Sequence, residues 1–317
     1  MLERILSKSL GSLVASILLA FCLALVEWWK NSKNTMVFGP DAQLTYPVWM
    51  ALVLAFYALL LALLWAEGFG QKDERFRNFM PSFLSIALIF ALSPPFLLMP
   101  SQLAIIPALF AVRSVFQSID NSRNFYRLFD AGLLLGLAAL ISLHYLWVFP
   151  WIMAVSIFLG NTHWRHLSIP FLGLIFVFWV QLAVGQFWGT TSLDKWILAF
   201  EKPYINKNIF FNNQTSLIRL ILFVPLLPPI VRDYLERAAR GSTAWRRKIL
   251  NALMAGLLYF LLLWLFLPQN GQTWVTFLAL SSGILLSGRI ERYKKKWSKR
   301  LILLYILFIA IIEIIWL

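Results

Sequence analysis

Long apolar runs, returning again and again between short basic loops, limit what this chain can fold into more than any other feature. The first reaches Val26, and further runs lie at about 47–66, 81–98, 102–112, 128–143, 146–160, 169–188, 217–231, 249–267, 274–288 and 301–317. About 20 apolar residues make one helical crossing of a bilayer, where every backbone polar group must be satisfied within the span. The pattern predicts an all-α, polytopic transmembrane helical bundle of about eleven spans, with residues 1–317 forming a single domain and no soluble appendage. Composition agrees, at 60% hydrophobic and 13% charged residues. A water-soluble domain is about 45–50% apolar and about 25% charged.

Several runs are short for a hydrocarbon core of about 30 Å. The pairs 81–98/102–112 and 128–143/146–160 are therefore expected to be tight hairpins, or to include a member that crosses incompletely. Pro94, Pro95 and Pro100 make the first pair irregular, because proline has no N–H to give an unbroken helix. The opening run resembles a signal peptide, but Glu27-Trp28-Trp29-Lys30 follows it in place of a small-residue cleavage site, so it reads as an uncleaved first helix. Tryptophans near run ends, such as Trp49, Trp65, Trp188, Trp264 and Trp274, suit interfacial anchoring. Cys22 is the only cysteine. An intramolecular disulfide is thereby ruled out, as is a cysteine-based zinc site.

Charge sets the orientation. On the eleven-span count, 22 of the 28 basic residues fall in loops of one side, chiefly Arg232–Lys248 and Arg289–Arg300. The other side holds Lys30, Lys33, Lys195, Lys202, Lys207 and Arg219. Cytoplasmic loops carry the excess of Lys and Arg, which places the N-terminus inside and the C-terminus outside. The net charge of +14 is thus read as contact with membrane lipids, through anionic headgroups at the cytoplasmic loops, and not as nucleic-acid binding. Within 232–248 the expectation is a short helix along the membrane, with Tyr234, Leu235 and Trp245 toward lipid.

Fingerprints of nucleotide, hydrolase and metalloprotease chemistry are absent from the sequence. No metal site or cofactor is expected: His163 and His166 flank an arginine without a nearby carboxylate and read as solvated loop residues. Asp130 is read as complementing a helix N-terminus. Asp233, Glu236 and Glu291 share loops with basic residues and call for no special role. Gly132/Gly136 and Gly185/Gly189 have the spacing that lets helices approach closely. Carboxylates on the sparsely charged outer side point to a working face. The weak catalytic candidates are Glu27, Asp41 and His144. The binding candidates are Trp28, Trp29, Asp194, Glu201, Lys202, Lys207, Arg219 and Glu313, with Glu313 expected to join Glu27 and Arg219 in a polar cluster. Gln181 is the one polar residue suited to a mid-membrane carrier site.

Four stretches carry a family resemblance: Ala91-Leu92-Ser93-Pro94-Pro95-Phe96, Leu109 to Asp120, Leu128 to Ala138, and Trp164 to Gly173. They resemble an uncharacterised family of bacterial polytopic inner-membrane proteins of about this length, known mainly as a domain of unknown function. The resemblance implies an inner-membrane location in a bacterial envelope and supplies no catalytic residue. Three function classes stay open, and with them whether the chain is an enzyme. The first is a non-catalytic subunit or scaffold in envelope biogenesis, with a membrane-protein partner. The second is a glycosyltransferase-like enzyme using polyprenyl-phosphate sugars on the outer face. The third is a lipid or solute carrier.

Overall fold

Leucine, alanine, phenylalanine and isoleucine dominate the apolar runs, and such residues sustain the i→i−4 backbone ladder with little loss of rotamer freedom. The computed structural model describes residues 80–92, 104–118, 125–158, 164–187, 214–239, 244–266, 271–292 and 300–306, together with positions 14, 17–19, 22, 308–309 and 312. Among these residues the backbone is all-helical and contains no strand. The helices are α1 (Met80–Leu92), α2 (Ile105–Gln117), α3 (Phe125–Ile141), α4 (Val148–Phe158), α5 (Trp164–Phe187), α6 (Gln214–Phe223), α7 (Leu227–Ala239), α8 (Ala244–Phe266) and α9 (Gly271–Arg292). Short 3₁₀ turns at Leu143–Trp147 and Val224–Leu226 join α3 to α4 and α6 to α7.

Among the described residues, apolar runs and helices coincide from residue 81 onward, with two physical corrections. Helices reach past the apolar residues into the flanking charges: Arg113 is in α2, Arg127 in α3, Arg232 in α7, Lys248 in α8 and Arg289 in α9. Arg and Lys are good helix formers, so the ladder continues where hydropathy stops. The run 217–231 is also not one helix. Pro225, Pro228 and Pro229 withhold three N–H groups, and the chain tightens to 3₁₀ before α7 starts afresh.

α9 is the hub. From Trp274 to Ile290 every residue is buried, the mark of a helix enclosed on all sides. α1, α7 and α8 pack on it, and α8 in turn meets α4. The α4–α8 contact is aromatic: Trp151 Nε1–H donates to the Ala252 carbonyl at 3.2 Å, and its ring meets Phe260 edge-on at 5.1 Å. Phe260 stacks on Phe277 of α9 at 4.9 Å. On the other flank α3 lies between α2 and α5. The α3–α5 seam is very close: a Cβ on Gly132 would collide with the Pro170 backbone, and one on Gly173 with that of Phe129. Gly132/Gly136 therefore pack against α5 of the same chain.

The hairpin expectation needs correcting. α1 lies on α9 and α2 on α3, so these two neighbours in sequence form no extensive pair. Close approach decides this, since Ser85 of α1 fits against Gly283 of α9, where no larger side chain leaves room. The turn after α3 is tight, as expected, but α4 packs mainly on α8 and not back on α3.

Candidate functional site

α7 opens on Leu227-Pro228-Pro229, where prolines cost little because the first N–H groups of a helix have no intrahelical partner. Its buried stripe continues that of the preceding turn: Leu226, Ile230, Asp233, at i, i+4, i+7 spacing. Its exposed stripe is Pro228, Arg232, Leu235. An acid thus occupies a core position, and Asp233 is fully buried. One turn on, Glu236 receives Arg232 Nε–H at 2.9 Å and Arg289 Nη1–H at 2.7 Å. The Arg232 side chain is 72% exposed and the Arg289 side chain 8%. The Arg289 bridge ties α7 to the end of α9. A third link ties α7 to α8, with Tyr234 Oη–H donating to Asn251 Oδ1 at 2.9 Å.

The hydrogen bond from Arg232, then that from Arg289, holds the Glu236 carboxyl below the usual carboxylate range. At neutral pH the group is an anion clamped between two cations, an arrangement that fixes helix ends and does not exchange protons. Tyr234 faces the protein, where its hydroxyl finds an amide partner, while Leu235 is exposed.

Of the catalytic and binding candidates, His144 and Arg219 are described. Glu27, Trp28, Trp29, Asp41, Asp194, Glu201, Lys202, Lys207 and Glu313 lie outside the described residues, as does His163. His144 sits in the 3₁₀ turn beside buried Tyr145, and burial lowers its pKa, so its imidazole is neutral at neutral pH. Arg219 is in α6 and buried. His166 is not a solvated loop residue: it starts α5 and stacks on Phe125 at 4.7 Å, because the α3–α5 seam brings the two helix starts together. Asp130 is exposed on α3, beyond the first turn where a helix end would feel it. Gln181 is half-buried on α5.

Sequence reasoning passed over Asp233, Glu236 and Arg289. The signal for Asp233 was its place on the Leu226–Ile230 stripe, and for Arg289 its place one turn after the apolar stretch Ile284-Leu285-Leu286.

Among the described residues the chain is all-helical, and two of its helical segments there, His166–Gln186 and Arg247–Phe266, are long and apolar enough to cross a membrane. The chain belongs to the family of unknown function DUF6427, which matches residues 1–315. No curated protein and no solved structure matches it.

Proposed function

We propose that the chain is a multi-pass protein of a bacterial inner membrane, with about eleven spans and its N-terminus inside, acting as a non-catalytic subunit or scaffold in envelope biogenesis. One observation carries the membrane part of this reading, the surface of α5. Phe171, Leu172, Ile175, Phe176, Trp179 and Val180 are all exposed, Trp179 at 64%. So many large apolar groups on one helix are costly in water and at home in lipid. At 24 residues α5 is about 36 Å long at about 1.5 Å per residue, enough for a core of about 30 Å. The scaffold part draws on how the polar groups are used. Glu236 is taken up in joining helices, and Gly132, Gly173 and Gly283 lock neighbouring helices at close range.

The test is topological first. In a Cys22→Ser background, single cysteines at Asn34 and Asn208 are expected to react with an impermeant thiol reagent applied to intact cells, and cysteines at Ser242 and Ser298 are not. Labelling at either of the latter two would overturn the orientation. Purification from native membranes then tests the role. A stoichiometric membrane-protein partner is expected, and bound polyprenyl-phosphate lipid in its place would favour the transferase.

A further inference from the structure

We infer that the end of the bundle where α7, α8 and α9 meet is a docking surface for anionic phospholipid headgroups, with Arg232, Arg247 and Lys248 as its cations and Leu235 as its apolar contact. This rests on the multi-pass reading above and gives it a located lipid site.

Segment 232–248 holds six basic residues and two acidic ones, Asp233 and Glu236. The fold buries one of these acids and pairs the other. Asp233 is turned into the core, and Glu236 is bridged by the buried Arg289 of another helix as well as by Arg232. With Asp233 buried and Glu236 bridged to the buried Arg289, the exposed charged side chains among the described residues of this segment are cationic, Arg232 and Arg247. Arg232 engages Glu236 through Nε, and with its side chain 72% exposed it presents its terminal amino groups outward. The Tyr234–Asn251 hydrogen bond pins α7 to α8, with Lys248 one turn before Asn251 on that face of α8 and Arg232 on the outer stripe of α7. Arg247 beside Lys248 is exposed.

Leu235 is 58% exposed and lies on the same stripe as Arg232. Cations beside an exposed large apolar side chain match the headgroup–acyl boundary. A nucleic acid or an acidic peptide would use the cations and leave the leucine without a counterpart. Each charge near an anionic surface is worth about fivefold in association, the equivalent of about 1 kcal/mol.

The experiment uses the full chain with Cys22→Ser and Leu235→Cys, carrying an environment-sensitive fluorophore at position 235 and reconstituted into liposomes. Phosphatidylcholine alone is compared with phosphatidylcholine containing phosphatidylglycerol. The expected result is a blue shift in the anionic liposomes that salt reverses and that is lost when Arg232, Arg247 and Lys248 are all changed to Gln. The charge-preserving variant Arg232→Lys with Lys248→Arg keeps the shift, which separates lost charge from lost fold. Equal emission in both liposomes, with the protein incorporated in each, would overturn the site while leaving the membrane reading intact. Failure to incorporate into either would remove the membrane reading itself. If inorganic phosphate or an acidic peptide shifts the probe in neutral liposomes as strongly as phosphatidylglycerol does, the ligand is a soluble anion and the lipid site is wrong.

Discussion

His144 and Glu236 are titratable side chains whose environments move them for different reasons, and the difference gives separate pH signatures. Burial alone lowers the His144 pKa. The unfolded chain then binds a proton that the folded chain refuses, so stability is full above the ordinary imidazole value of about 6.5 and falls as pH drops below it. Thermal unfolding of the full chain in detergent should show this loss, and His144→Gln should flatten it. An unchanged slope in that variant would assign the effect elsewhere. For Glu236 two arginines favour the anion, so its contribution is present above the ordinary carboxylate value of about 4.3 and is lost as pH falls through the lower folded value. Glu236→Gln should therefore lower the melting temperature at neutral pH and reduce the loss of stability on acidification below about 4. Arg232→Gln should matter less for stability, since an exposed ion pair contributes little, while Arg289 is itself buried and would lose its partner in the Glu236 variant. The sequence displayed these side chains but not their partners. Arg289 is 53 residues from Glu236, and no local spacing rule links positions that far apart.

Between α3 and α5, the motif Gly132-x-x-x-Gly136 meets Pro170, Gly173 and Val177. Replacing a helical glycine by alanine ordinarily stabilises by about 1 kcal/mol. At Gly132 the sign should invert, because the new Cβ would strike backbone atoms of Pro170, which cannot rotate aside as a side chain could. Gly132→Val should cost about 1–3 kcal/mol or more by overpacking, read as a lower unfolding temperature with the helical circular dichroism retained. Should Gly132→Ala prove as stable as the parent, the seam is looser than described. Helix positions were legible here because hydropathy alternates between run and loop, and the glycine spacing announced a close approach. What the approach was to was not legible: the same motif serves a second copy equally well, and only the fold brings Pro170 to it. The pairing of α1 with α9 was hidden for the same reason, since Ser85 and Gly283 are ordinary small residues until they touch. Local sequence gives a helix its length and its apolar sides, while its neighbours depend on shape complementarity across long separations.

Taken whole, the molecule has two kinds of apolar helix, and the contrast bears on what surrounds it. α9 is apolar and enclosed, like the central helix of a water-soluble bundle, so it does not discriminate between water and lipid. α5 is more apolar still, yet it carries large exposed side chains, with Ile175 exposed near its midpoint and Trp179 one turn on. In lipid those positions are favoured and a charge there is costly. In water a charge there would be harmless or would improve solubility. Ile175→Lys should therefore reduce the amount of protein in the membrane fraction, an insertion scale giving about 2.5–3.5 kcal/mol for Lys at a helix centre. Ile175→Leu should have no effect. The same lysine at position 235 should be tolerated, because Leu235 shares its stripe with Arg232 at the charged end of the bundle. Wild-type levels of Ile175→Lys in the membrane fraction would show that this side of α5 does not face hydrocarbon, and the lipid environment inferred from its exposed side chains would then have to be given up.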